Sequence, residues 1–182
     1  MQNPTDIPTD KQANKPHLDM PMPEHFPVSV ILESRPATSK WIDQVWQVTG
    51  VTIGSREDDA NEVPRLIHTD GEIKQYICTG LNVRLYKDEC ESYYFNLMSD
   101  TPRCYVIAHV EDPDTPPDPF LISMSFDEAH AYLEGEDDIY DVDVPPELYR
   151  WTEAYMLVHY AQEKRTKRKR KDWTKSEDER PS

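Results

Sequence analysis

The densest run of side chains that could bind a ligand lies near the C-terminus, where seven of the eight residues 164–171 are basic and Trp173 follows. Closely spaced lysines and arginines bind anions and acidic protein surfaces. Three roles are open: a solvated tail that aids solubility, an arm that binds an anionic partner, or a segment that docks on this chain's own acidic residues. The candidate partner-binding residues are Lys164, Arg165, Lys167, Arg168, Lys169, Arg170 and Lys171.

An acidic stretch at residues 134–143 could supply the complementary charge, because it holds six carboxylates within ten residues. We expect a solvated link between two helices that can bind basic groups. An EF-hand calcium loop opening at Asp141 does not fit, since its sixth position would be Pro146 instead of glycine and its twelfth Thr152 instead of glutamate. The candidate partner-binding residues here are Glu136, Asp137, Asp138, Asp141 and Asp143.

Motifs of other chemistries do not occur in this sequence. The five glycines do not form a phosphate-binding loop, and no serine lies in a G-x-S-x-G turn. The three cysteines are 12 and 14 residues apart, too far for one turn to present a pair of zinc ligands. We therefore predict no catalytic, cofactor-binding or metal-binding residue and no cofactor, and an enzyme is less expected than a binding protein.

Charge and hydropathy restrict the possible partners and location of the chain. It has 182 residues and a net charge of −15, and residues 164–182 carry nine basic and four acidic residues, which leaves −20 for residues 1–163. Because residues 1–163 are so acidic, they repel nucleic acids, and we do not expect nucleic acids as partners. The N-terminus lacks a signal peptide pattern, and no apolar run approaches the roughly 20 residues of a membrane helix. We predict a cytoplasmic protein without a membrane span and with reduced cysteines.

The predicted domain organisation has three segments. Residues 1–26 are rich in proline and poor in apolar residues, which predicts disorder. Residues 27–163 form a single β-rich domain with C-terminal helices, and residues 164–182 form a basic, mostly disordered tail.

Short alternating apolar runs separated by turn residues predict strands between Pro27 and Phe126. Asp70-Gly71 predicts a tight hairpin, and Thr79-Gly80 a second turn. Alternation at Tyr93, Phe95 and Leu97 predicts a further strand.

Two helices are expected after these strands. Ser125 and Glu128 have the spacing of a capping box, which predicts a helix from about Phe126 to Gly135. Pro145-Pro146 suits the first turn of the second helix, and Leu148, Trp151, Tyr155 and Val158 recur on one of its faces. The predicted fold is α+β: an antiparallel, strongly twisted β-sheet or small barrel of about eight strands, followed by two C-terminal helices.

The order of several sequence blocks carries a family resemblance. The blocks are PVSVILESRP from Pro27, HTDGEIKQYICTGLNVRLYKDECESYYFNLMSDTPRCYVI from His68, MSFDEAHAYLEGE from Met124 and VPPELYRWTEAYMLVHY from Val144, followed by the basic tail. Over about residues 27–171 the chain resembles a bacterial family of unknown function, whose genes tend to accompany those of molybdenum-containing formate dehydrogenase.

This resemblance implies a non-catalytic accessory protein for the assembly or maturation of a molybdenum-dependent formate dehydrogenase, which acts by binding that enzyme or its maturation machinery. The alternatives are a small enzyme of molybdenum cofactor metabolism and an anion-binding adaptor that uses the basic tail. Some members of the family carry a label implying molybdopterin-guanine dinucleotide synthesis. That reaction relies on a glycine-rich loop after the first strand, whereas this sequence has no glycine between Val28 and Gly50.

Overall fold

The computed structural model of the protein describes residues 22–23, 25–54, 64–135 and 137–160. Most of the predicted N-terminal segment, Glu136 and the whole basic tail lie outside these residues. The predicted organisation into three segments and the binding roles of the seven basic residues therefore stay predictions.

Seven strands and three α-helices form within the described residues. The strands are β1 (His25–Pro36), β2 (Gln44–Ile53), β3 (Arg65–Asp70), β4 (Ile73–Arg84), β5 (Arg103–His109), β6 (Asp118–Ser123) and β7 (Asp137–Asp143). The helices are α1 (Cys90–Leu97), α2 (Phe126–Ala131) and α3 (Pro146–His159), and the 3-10 turn Tyr132–Glu134 continues α2.

All seven strands belong to one sheet, whose order is β2-β1-β4-β6-β5-β7, with β3 paired to the first half of β4. The two ends of this order, β2 and β7, approach each other, so the sheet is nearly closed into a barrel. The prediction of an α+β fold is confirmed. A purely antiparallel sheet was the wrong prediction, because β4 and β6 pair in parallel at Val83 and Ile122. The crossover through α1 and β5 is long enough to permit this pairing.

The predicted strand at Tyr93, Phe95 and Leu97 is wrong, because these residues lie in α1. Cys90, Tyr93 and Leu97 are buried and recur at the spacing of one helix face, whereas Phe95 is exposed. The sheet has seven described strands instead of about eight, and a third helix is present.

Turn chemistry was interpreted correctly at one of two glycines. The hairpin after Asp70 is confirmed: Asp70 pairs with Ile73, and Gly71 in the connecting loop has a φ of 59°. The predicted turn at Thr79-Gly80 is wrong. β4 continues through it, and the register with β1 shifts there in a bulge in which Gly80 has a φ of 82°.

The acidic stretch is not a solvated link but the edge strand β7. Residues Asp137 to Asp143 pair with β5 along its whole length, and Val142 is buried in the core. From Tyr140 to Asp143 apolar and charged residues alternate, which suits a strand that is covered on one face.

The two predicted helices are present. The Ser125 hydroxyl accepts a hydrogen bond from the backbone N–H of Glu128 at 3.0 Å and so caps α2. Leu148 and Trp151 on α3 are buried, but Val158 is exposed, and Thr152 and Met156 complete the buried face. Buried residues of α1 and α3 pack on the same core cluster as the inward side chains of the sheet.

Candidate functional site

The acidic candidates that lie in the described ranges are dispersed along β7 and engage different partners. Arg103 Nη1 lies 2.7 Å from Asp143 Oδ1, and Arg103 Nε lies 3.6 Å from Asp141 Oδ2. Asp137 contacts His109, and Asp138 accepts a hydrogen bond from the Tyr140 hydroxyl at 3.3 Å. The strand therefore brings Asp141 and Asp143 together around one arginine and leaves Asp137 and Asp138 separate.

A groove of about 430 Å³ runs between α1 and α2. Phe95 of α1 and Phe126 of α2 line it, and Tyr105 of β5 lies at its base. Phe95 is 63% exposed and Phe126 48%, whereas Tyr105 is only 8% exposed. The other lining residues are Ser92, Asn96, Ser99, Thr101 and Asp127. The groove thus combines exposed aromatic surface with hydrogen-bonding groups.

Aromatic contacts fix the α2 side of this groove. The ring of Phe126 stacks on His130 at a centroid distance of 3.5 Å and meets Tyr105 edge-on at 6.0 Å. Such contacts hold a ring in one orientation. Phe126 is therefore already positioned while much of its surface remains open to solvent.

Hydrogen bonds of Asn96 fix the α1 side. Its amide Nδ2 donates to the backbone carbonyls of Arg103 at 2.7 Å and Met124 at 2.8 Å, and its Oδ1 accepts from the Arg103 N–H at 2.9 Å. One buried side chain thereby ties α1 to β5 and to the residue after β6. The groove is formed before any ligand arrives, which lowers the ordering cost of binding.

A second set of hydrogen bonds joins the beginnings of α1 and α2. The Ser125 hydroxyl donates to Glu89 Oε2 at 2.5 Å, and the Ser123 hydroxyl donates to Glu128. The Ser125 N–H donates to the Ser123 hydroxyl at 2.9 Å, so Glu128 does not complete the capping box itself. Burial raises the pKa of Glu128, and its hydrogen bond from Ser123 acts in the opposite direction.

One charged residue within the described ranges lines the groove, and a second carboxylate lies next to Tyr105. Asp127 lines it, and Asp141 is the neighbour of Tyr105 across the β5–β7 ladder. Burial, the carboxylate of Asp141 and that of Asp127 raise the pKa of Tyr105, while Arg103 lowers it. The Tyr105 hydroxyl is therefore neutral at physiological pH and can donate a hydrogen bond to a ligand.

A second, more polar groove of about 600 Å³ lies where β5 ends and where β6 and β7 begin. His109 faces Asp118 on one neighbouring strand and Asp137 on the other. Its Nδ1 contacts Asp137, and its ring stacks on Phe120 at 4.2 Å. A carboxylate and an aromatic ring that fix an imidazole in this way are compatible with proton transfer. Within the ranges described, no group of three or more histidine, cysteine or acidic side chains could hold a metal ion.

The cysteines behave as small packed residues. All three are free thiols, with Cys90 and Cys104 buried. Burial raises the pKa of Cys104 to about 12, and burial together with the Asp118 carboxylate raises the pKa of Cys78 to about 11. Because the thiolate is the nucleophilic form, these groups are unreactive near neutral pH.

Sequence reasoning missed both grooves. The groove between α1 and α2 depends on Phe95 lying on a helix, whereas its neighbours suggested a strand. A helical spacing was nevertheless available, since Cys90, Tyr93 and Leu97 are three and four residues apart.

Together these elements define a small α+β protein with a mixed, nearly closed sheet and an aromatic groove between two helices. Residues 27–171 match the model of a family described as protein of unknown function, DUF3305, and the chain belongs to that family. The predicted membership of a family of unknown function is thereby confirmed. No curated protein and no solved structure matches the chain. Among the described helices, none is long and apolar enough to cross a membrane.

Proposed function

We propose that this protein is a non-catalytic accessory protein that binds a partner protein through the groove between α1 and α2. The partner in this proposal is a molybdenum-dependent formate dehydrogenase or its maturation machinery, and this identity rests on the family resemblance alone. The observation that carries the binding role is the pair of exposed rings, Phe95 and Phe126, that line a groove above Tyr105.

Exposed aromatic side chains in a preformed groove are typical of protein interfaces. Aromatic residues and methionine are enriched there, and a few buried anchors supply most of the binding energy. Met98, directly after α1, is also 58% exposed. Ser99, Thr101 and Asp127 add polar groups that can pair with a partner backbone. An apolar side chain of the partner would therefore pack against the two rings, while the backbone beside it forms hydrogen bonds with the polar lining.

A second candidate function is that of a small enzyme of molybdenum cofactor metabolism. The arrangement of His109 against Asp137 and Phe120 in the polar groove is what favours it. The third candidate, an anion-binding adaptor, depends on basic residues outside the described ranges.

The binding role is tested by Phe95→Ala and Phe126→Ala in a strain that carries the gene. We expect each to weaken capture of formate dehydrogenase or its maturation proteins by roughly 30-fold, because an interface anchor contributes about 2 kcal/mol or more. Leu157→Ala is the matched control, since Leu157 is an apolar residue of α3 that is 82% exposed and outside the groove lining. Equal capture by all three variants would contradict the groove.

The partner assignment has its own test. Deletion of the gene should lower formate dehydrogenase activity together with its cofactor content or subunit abundance. If all three quantities stay unchanged, the assignment to formate dehydrogenase is wrong. A change that His109→Gln reproduces and Phe126→Ala does not would favour the enzyme instead.

A further inference from the structure

We propose that residues 164–173 of the same chain occupy the groove between α1 and α2 when no partner is bound, with Trp173 between Phe95 and Phe126 and the basic run on the acidic side of the groove. This inference rests on the proposed function, because it assigns an autoinhibitory occupant to the same groove. A partner then binds by displacing the tail.

The position at which the described chain ends supports this occupant. The ring of Tyr160 packs on Tyr94 of α1 at a centroid distance of 5.3 Å. Tyr94 in turn lies 5.7 Å from Phe95, the ring that lines the groove. The end of the described chain is therefore linked to a groove-lining ring through Tyr94.

The length of the remaining chain is sufficient. Trp173 follows Tyr160 by 13 residues, and a segment of this length spans up to about 40 Å when extended. A short tether raises the effective concentration of a segment at its site to the millimolar range. Even weak contacts between the tail and the groove are thus populated.

Charge complementarity orients the tail. Seven of the eight residues 164–171 are basic. Asp127 of α2 lines the groove, and Asp141 of β7 is paired with Tyr105, which also lines it. Glu91 is exposed on α1 near Tyr160, where burial and this carboxylate raise the pKa of the Tyr160 hydroxyl. Arg103 neutralises some of the charge at β7. The carboxylates that the tail would approach are therefore spread over α1, α2 and β7, and part of their charge is already compensated.

The chemistry of the groove fits a tryptophan. Its indole can pack against the rings of Phe95 and Phe126, while its N–H needs an acceptor. Asp127, Ser99 and Thr101 offer such acceptors within the groove lining. Lysine or arginine placed over an exposed phenyl ring adds a cation–π attraction.

The experiment uses the full chain without any partner, labelled with 5-fluorotryptophan. Fluorine NMR then resolves the four tryptophans, and each tryptophan-to-phenylalanine variant identifies one resonance. Trp41 is 92% exposed and marks the position of a solvated indole. We expect the Trp173 resonance to differ from that of Trp41 and to move towards it in Phe126→Ala, in Phe95→Ala and at high salt.

Controls separate docking from unfolding. The resonance of Trp151, which is 8% exposed, should stay unchanged in every variant, and Leu157→Ala should leave Trp173 in place. Replacing the seven basic residues with glutamine should also shift Trp173 towards the solvated position, because the proposed docking depends on their charge.

Three results would overturn the inference. A Trp173 resonance at the solvated position in the parent chain shows that the tail is free. A shift that grows with protein concentration shows that a second copy is the occupant, and one that is insensitive to both phenylalanine variants places Trp173 elsewhere. Since no partner enters the experiment, each of these results leaves partner capture by the groove standing as a separate question.

Discussion

Asn96 and Arg103 form a two-way hydrogen-bonded pair, in which the Asn96 amide donates to the Arg103 carbonyl at 2.7 Å and the Arg103 N–H donates back to Asn96 Oδ1 at 2.9 Å. The pair fixes α1 against the first residue of β5. Because the Asn96 amide has both a donor and an acceptor, it pairs with the C=O and N–H of Arg103 as a peptide group of a neighbouring strand would.

Removal of this side chain should be costly. We expect Asn96→Ala to lower the free energy of unfolding by about 2–3 kcal/mol, since buried backbone groups left without partners each cost roughly 1–3 kcal/mol. Urea unfolding measures the change. Asn82→Ala is the control, because Asn82 is exposed on β4, and surface substitutions usually stay within about 0.5 kcal/mol. Similar losses for both variants would contradict a special role of Asn96.

The partly buried carboxylate of Glu128 predicts a pH dependence. Burial raises its pKa, although the hydrogen bond from Ser123 opposes the shift. A carboxyl group with a higher pKa in the folded state holds its proton more tightly when folded. Its contribution to stability is therefore present at low pH and is lost as the pH rises from the unfolded pKa, about 4.3, through the raised folded pKa.

Glu128→Gln tests this dependence because glutamine cannot ionise. The difference in unfolding free energy between variant and parent should grow in favour of the variant as the pH rises from acid to neutral. Urea unfolding at several pH values measures it. Glu111→Gln removes an exposed carboxylate and serves as the comparison; a parallel pH course for the two variants would count against the buried environment of Glu128.

The bulge in β4 requires glycine at position 80. The φ of Gly80 is 82°, and a left-handed conformation costs a residue with a Cβ atom roughly 1–2 kcal/mol. We expect Gly80→Ala to lower the free energy of unfolding by about this amount. Gly50 has no positive φ, and a Cβ atom there would meet nothing within 4 Å. Gly50→Ala should therefore be tolerated, and thermal or urea unfolding of the two variants should separate them clearly.

Trp151 has a buried indole N–H without a hydrogen-bond partner in the described structure. Its ring packs on Phe26 at 5.1 Å. Trp151→Phe removes the unpaired donor while it loses packing, and because an unpaired buried donor costs roughly 1–3 kcal/mol, the two effects should offset each other to within about 1 kcal/mol. Trp151→Ala should cost about 3–5 kcal/mol instead. A phenylalanine variant as unstable as the alanine variant would show that the indole N–H has a partner.

Local signals in the sequence predicted the elements whose structure is decided locally. The hairpin after Asp70 follows from Gly71, the start of α2 from Ser125, and the start of α3 from Pro146. These features depend on the backbone preferences of a few adjacent residues.

Elements decided by distant contacts were predicted less well. Tyr93, Tyr94 and Phe95 fit a strand or a helix equally, and only packing of Tyr93 into the core settles the choice. The sequence of β7 is too acidic to indicate a strand by itself. Its pairing with β5 is a long-range contact, since even the nearest pair, His109 and Asp137, is almost 30 residues apart. The groove could not be predicted, since it needs α1, α2 and β5 in their final positions.

The near closure of the sheet also bears on how the protein behaves when concentrated. β2 and β7 approach each other without pairing in a ladder among their described residues, so each of these two strands has an edge that faces the gap in the sheet, here called the seam. An open strand edge is a template onto which another molecule can add. β7 carries four aspartates, two of which pair with Arg103. The remaining negative charge of this strand repels the same strand of another molecule while the carboxylates are ionised. Aggregation should consequently begin at the seam and set in on acidification, before the interior of the sheet has been exposed.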